Sequence, residues 1–202
     1  MAAEPILISA PAVEPVTLAE ARLHLRLASD YTSEDDTITA LIKAARRMAE
    51  QQLGRKLITQ SWDMVLDAFP SGDEAIELHP LLVKAQSITQ IIYLDTAGAT
   101  QTFASASYTL DPQLLPGYVF LNDGYSWPGD VADSANAVKV RVVCGYGDAA
   151  SDVPPEVVAW MKVQLATLWR NREAFQAGVS VAELPGRYVD RLLDGERVYL
   201  GV

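Results

Sequence analysis

Leu53-Gly54-Arg55-Lys56-Leu57-Ile58-Thr59-Gln60-Ser61-Trp62-Asp63-Met64-Val65-Leu66-Asp67 changes period in its middle, and that change decides the fold class. Before Gly54, the apolar residues Ile38, Leu41, Ile42, Ala45, Ala49 and Leu53 recur at the spacing of one helix face. From Leu57 the repeat is two. Ile58, Gln60, Trp62, Met64 and Leu66 fall on one side of a strand, and Thr59, Ser61, Asp63, Val65 and Asp67 on the other. Gly54 is a natural stop between the two patterns, since helices often end on a left-handed residue and glycine adopts that conformation without strain. The strand is expected to be buried mainly on one side, with Trp62 in the core where the chain leaves the helices.

Working back from Gly54, the acidic run Ser33-Glu34-Asp35-Asp36 suits the positive end of the helix that carries this stripe. Lys43, Arg46, Arg47 and Glu50 are read as its solvated face in preference to a basic binding patch. Earlier still, Thr17-Leu18-Ala19-Glu20 has the spacing of a capping box, in which hydroxyl and carboxylate each satisfy an orphan backbone N–H. A short helix from Leu18 to Leu27 follows.

Working forward, further strands are expected at Ala75–Leu78, Ser87–Leu94, Thr100–Phe103, Tyr108–Asp111, Tyr118–Leu121 and Val138–Cys144. Turn-rich stretches such as Asp95-Thr96-Ala97-Gly98 separate them, as in a small sandwich or barrel. After Pro154-Pro155 the chain returns to helix, with Val158, Met161, Leu165, Leu168 and Trp169 expected on its buried side and Trp160 at the edge. Phe175–Val181 has no clear pattern, Pro185-Gly186 breaks the chain, and a short helix from Arg187 to Leu193 precedes the tail. The fold class is therefore α+β. Residues 1–55 and 153–202 are expected to form one helical core, because each amphipathic helix must bury its stripe, and residues 56–152 an inserted antiparallel β module.

The composition limits function. The 202 residues are half hydrophobic and about a fifth charged, the balance of a folded protein. No apolar run reaches the length of a membrane span, and the start lacks the basic region of a signal peptide, so a cytosolic chain is expected. The single cysteine, Cys144, lies in an apolar alternating run where a buried thiol is the expectation. With 16 basic against 26 acidic residues the formal charge is −10, and residues 55–152 hold 12 of the acids against 5 bases. Such a surface repels phosphates.

Catalytic chemistry finds little to work with. His24 and His79 are the only histidines, lie in different elements and match no metal-ligand spacing. Gly145-Tyr146-Gly147 joins a strand to a helix but lacks the rest of a phosphate loop, and reads as a turn. Asp123, Asp130, Asp133, Asp148 and Asp152 miss the spacing of a calcium loop and read as solvated acids. Trp127, before Pro128, hints at a surface contact, although a loop packed over the β core explains it better. No catalytic residue, metal site or cofactor is expected.

Several stretches together resemble one family. Residues 14–26, the Asp35-Asp36 helix start and Gly54–Asp63 look like the N-terminal half of the head-tail connector (adaptor) proteins of long-tailed bacteriophages. Trp127-Pro128, Ala137–Gly147, Val153-Pro154-Pro155 and Leu168–Glu173 look like the second half. The resemblance implies a structural protein of the virion neck, made in the host cytoplasm and related to adaptors of gene transfer agents. It implies a homo-oligomeric ring, commonly of twelve subunits, that sits beneath the portal protein, receives the next neck or tail-completion ring and leaves a channel for DNA. It implies no enzyme activity. Two other readings stay open: a binding module whose acidic β region recognises a carbohydrate or a protein, and a hydrolase using loop carboxylates.

The C-terminal end is the expected portal-docking segment. Arg191, Leu192, Leu193, Arg197, Val198, Tyr199 and Leu200 combine apolar surface with arginines, lie beyond Pro185-Gly186 and are split by Asp194-Gly195, so they continue the preceding helix stripe poorly. Folding back on the same subunit is the alternative. For the acidic surface as a whole, the purified protein is expected to bind duplex DNA no better than an acidic control at physiological salt. Micromolar, steeply salt-dependent binding in a filter or anisotropy assay would overturn this.

Overall fold

In a computed structural model, residues 4–28, 30–171 and 189–198 are described. The capping box forms: the Glu20 amide donates to the Thr17 hydroxyl at 3.2 Å and the Thr17 amide to the Glu20 carboxylate at 2.9 Å. It starts α1 (Leu18–His24), whose buried residue is Ala21. The Thr17 amide and hydroxyl, with Lys162, hold the Glu20 carboxyl below its ordinary value. The helix stops before the expected Leu27 because Arg26 turns left-handed, at φ 57°, and its amide bonds back to Leu23.

Helix α2 (Asp35–Leu53) begins on its acids, and Asp35 is paired with Arg22 of α1. It ends at Gly54, whose φ of 68° and amide bond to the Glu50 carbonyl form a left-handed cap. Helix α3 (Pro155–Arg170) packs on both α1 and α2, and Lys162 reaches Glu20 at 3.1 Å. These helices form one compact unit, residues 13–58 and 147–198. Its core includes Ile38, Ile42, Leu53, Trp160, Met161 and Leu165.

The buried side of α3 is rotated from the expectation. Val157, Trp160, Met161 and Leu165 are buried, whereas Val158, Leu168 and Trp169 are half-exposed. Trp160, expected at the edge of the stripe, lies at its centre, fully buried, with its indole N–H donating to Asp190 at 3.1 Å. A tryptophan can go to the centre of a core when its one donor finds an acceptor.

The second unit comprises residues 1–12 and 59–146 and is all β among its described strands. Its first strand, β1 (Ile6–Ser9), has no counterpart in the sequence reading. There follow β2 (Gln60–Leu66), β3 (Ile76–Glu77), β4 (Ala85–Leu94), β5 (Thr100–Phe103), β6 (Tyr108–Asp111), β7 (Tyr118–Leu121) and β8 (Val138–Cys144). A five-stranded antiparallel sheet runs β1-β2-β8-β4-β5, and a three-stranded one runs β3-β7-β6. Side chains of both sheets, among them Met64, Ile91, Val140, Ile76, Val119 and Tyr108, make one hydrophobic core.

Strand β8 lies at the middle of the larger sheet, and its alternation is strict: Val138, Val140, Val142 and Cys144 are buried. Opposite them in register stand Leu66, Met64, Trp62 and Gln60, the face expected to point inward. Burial is less one-sided than expected, since Asp63 and Val65 of the other face are also buried. Asp63 can be buried because Arg141, its cross-strand neighbour, grips both carboxylate oxygens at 2.8 and 2.9 Å. Trp62 is half-buried against the β core.

The two tryptophans therefore separate by burial. Trp160→Ala should cost about 3–5 kcal/mol, the range for deleting a fully buried large aromatic, and Trp62→Ala clearly less. Urea melts of the two variants check this, and an equal or larger loss at Trp62 would contradict it.

Candidate functional site

A catalytic site is not assembled from the residues singled out above. His24 is exposed on α1. The His79 ring accepts the Leu81 amide at 3.2 Å and so caps the 3-10 turn Pro80–Leu82, while burial lowers its pKa against the opposing pull of Glu4. At Gly147, which is bridged to Ile58, a Cβ would come within 2.2 Å of the Asp152 carboxylate, and that carboxylate accepts the Ala149 amide at 2.9 Å. This glycine is needed for packing, and the stretch read as a turn is a bend at Gly145-Tyr146 that leads into the bridge. Asp123, Asp130, Asp133, Asp148 and Asp152 are exposed. Among the described residues, no three His, Cys, Asp or Glu side chains converge as a metal site would require. Cys144 is fully buried, with its Sγ 3.9 Å from the Gln60 carbonyl. No helix among the described residues is long and apolar enough to cross a membrane.

The built feature is instead the last turn of α2. Arg46 and Glu50, expected on the solvated face, are 6% and 8% exposed, while Lys43 and Arg47 do face solvent. Arg46 Nε donates to Glu14 at 2.7 Å and Nη1 to Glu50 at 3.2 Å. Burial opposes the Arg46 charge, but Glu14 and Glu50 outweigh it and hold the guanidinium above its ordinary pKa. The same Glu50 oxygen accepts the Leu57 amide at 3.2 Å. One charged group thus fastens the segment before α1, the helix itself and the chain about to enter β2.

The C-terminal segment meets this same turn. Asp190 accepts the Trp160 indole, and Leu193, in a 3-10 turn (Arg191–Leu193), is fully buried. The Val198 amide donates to the Leu53 carbonyl at 2.9 Å, and Arg197 donates to the Gln52 carbonyl at 3.1 Å and to its side chain at 3.2 Å. Arg55 pairs with Glu196 at 3.5 Å. Helix ends leave carbonyls without intrahelical partners and carry partial negative charge, so an arginine and a backbone amide are the groups that suit them. Of the seven tail residues expected to dock a partner, Leu193, Arg197 and Val198 are engaged within the subunit, and Arg191 and Leu192 face solvent. Tyr199 and Leu200 lie outside the described residues, as do Phe175–Val181 and Pro185-Gly186.

Trp127 lies where a loop covers the β core, 8% exposed, stacked on Phe69 at 5.1 Å and donating to the Glu74 carbonyl at 2.9 Å. Sequence reasoning missed the inward turn of Arg46 and Glu50, although the signal was present. Arg46 lies four residues after Ile42 and Glu50 three before Leu53, so both border the apolar stripe.

These features hold segments of the helical unit that are distant in sequence to one another. Residues 15–110 match the family model of phage gp6-like head-tail connector proteins. Seven chains of solved structures match as well. One, from the neck of an empty gene transfer agent particle computed with C6 symmetry, has a TM-score of 0.75 at 20% identity and covers 99% of this chain and 98% of its own. Another, from the virion of a native gene transfer agent particle, has a TM-score of 0.74 at 20% identity with the same coverage. A third, from the neck of a native particle computed with C12 symmetry, has a TM-score of 0.71 at 22% identity and covers 98% and 97%. They share the α+β fold of this chain along its whole length. No curated protein matches the sequence.

Breaking the buried ion network from one side leaves charge without compensation. Arg46→Ala should cost about 3–5 kcal/mol in urea melts, and Arg46→Met less, because methionine refills the space. A loss below about 1 kcal/mol for the alanine variant would show that the network contributes little.

Proposed function

We propose that this chain is a structural head-tail connector of the virion neck: a subunit of a homo-oligomeric ring, of twelve copies, beneath the portal, with the next neck ring on its other side and DNA passing through its channel. One observation carries the reading. The connector family match over residues 15–110 coincides with a fold likeness that extends over 97–99% of both partners in chains from gene transfer agent necks. The acidity is compatible with it, since a surface past which DNA slides should not grip phosphates. A helical unit of residues 13–58 and 147–198, with most of the β unit inserted between them in sequence, gives such a ring two different building blocks.

The tail residues Arg191–Leu200 remain our proposed portal contact, now divided by role. Arg191 and Leu192, exposed at the end of the helical unit, would meet the partner, while Leu193, Arg197 and Val198 hold the segment in place. Deleting residues 191–202 would remove both functions together, so point variants separate them. Arg191→Glu with Leu192→Asp should leave stability within about 1 kcal/mol of the parent, as surface changes do, and abolish co-sedimentation with the cognate portal. Normal co-assembly of that variant would rule out the tail as the contact. Failure of the unaltered protein to form a ring on the portal in negative-stain images would rule out the connector reading itself.

A further inference from the structure

Two adjoining hollows on the β unit serve none of the roles above. One, of about 470 Å³, has Asp67 and Asp133 in its wall. The other, of about 440 Å³, is lined by Phe69, Pro70, Asp73, Trp127 and Pro128, and the two share Ala68 and Val131. The floor of the second is fixed in advance, because Trp127 is stacked on Phe69 and tied by its indole N–H to the Glu74 carbonyl. A site that needs no ordering on binding loses less affinity to entropy.

The chemistry of the lining selects the occupant. Pro70, Pro128 and Val131 offer apolar surface, and the carboxylates of Asp67, Asp73 and Asp133 stand along it with no Lys, Arg or His among the lining residues. One Asp67 oxygen accepts the Asn136 amide at 2.8 Å, and Asp73 and Asp133 are exposed. Residues 59–146 of the same unit carry charge of the same sign, with 10 acids, these three included, against 3 bases. Phosphates are therefore repelled. A sugar would want an open aromatic face, yet Trp127 is only 8% exposed and Phe69 covers one side of it. Lysine and arginine fit both parts of the lining, since their aliphatic stems lie on apolar surface while their heads pair with carboxylates.

We propose that this trough docks an extended, arginine- or lysine-bearing segment of a partner protein. The inference goes beyond the connector reading and does not depend on it. The test uses the isolated full chain and a fluorescein-labelled peptide of alternating arginine and proline, followed by fluorescence anisotropy, with a peptide of alternating glutamine and proline as control. The arginine peptide should bind, more weakly as salt rises, and the glutamine peptide should not. Asp73→Asn with Asp133→Asn should weaken binding about tenfold, through loss of two charge-assisted contacts. Glu77→Gln with Asp123→Asn makes the same charge change at exposed positions outside the trough and should alter binding by no more than about twofold. Three results would overturn the proposal: no binding of the arginine peptide, equal losses in the two double variants, which would mean diffuse attraction, or displacement of the peptide by maltoheptaose, which would mean a sugar site.

Discussion

A helix cannot satisfy its own last carbonyls, and in this protein the C-terminal turn of α2 turns that deficit into the junction of the helical unit. Glu50 holds Arg46 and the Leu57 amide; Arg46 holds Glu14; the Gln52 and Leu53 carbonyls take Arg197 and the Val198 amide. Three stretches outside the helix are fixed to about two turns of it. Gly54 makes this possible, because its left-handed cap turns the chain away and leaves those carbonyls open to the tail.

The β unit rests on a different constraint, the pairing of β8 with β2 on one side and β4 on the other. Its inward valines set the register of both neighbours, because a slip by one residue would turn Met64 and Ile91 out of the core. On the far face the same register places Arg141 against Asp63. Around the inner face, Phe69, Tyr93, Phe103, Tyr108 and Trp127 form a chain of aromatic contacts that closes the core beneath the loop of residues 122–137.

What was legible in the sequence follows from this division. Local signals were readable: the capping box, the stripe of α2, the stop at Gly54, and the strands at Thr100–Phe103, Tyr108–Asp111, Tyr118–Leu121 and Val138–Cys144 all stand where their periodicity put them. Features that depend on distant partners were not. Ile6–Ser9 is exposed on every residue and shows no useful alternation, and it is a strand only because β2 pairs with it. Arg46 borders the apolar stripe, but its partner Glu14 lies 32 residues away and is not announced near it in the sequence. Trp160 looked peripheral because the acceptor for its N–H, Asp190, lies thirty residues on. The tail contacts belong to the same class, since an orphan carbonyl on α2 leaves no mark in residues 189–198.

The chain leaves the helical unit at Ile58 and re-enters it at Gly147, and these two residues are joined by a parallel bridge. During synthesis this imposes an order. When α1 and α2 emerge from the ribosome, α3 has not yet been made, and the apolar side of α2 must wait while residues 59–146 are added. Those residues already contain every strand of the β unit except β1, so the inserted unit can condense first and draw the two crossings together. The helical unit then closes over a loop shortened from about ninety residues to the width of one bridge, which lowers the entropy that so non-local a contact would otherwise cost.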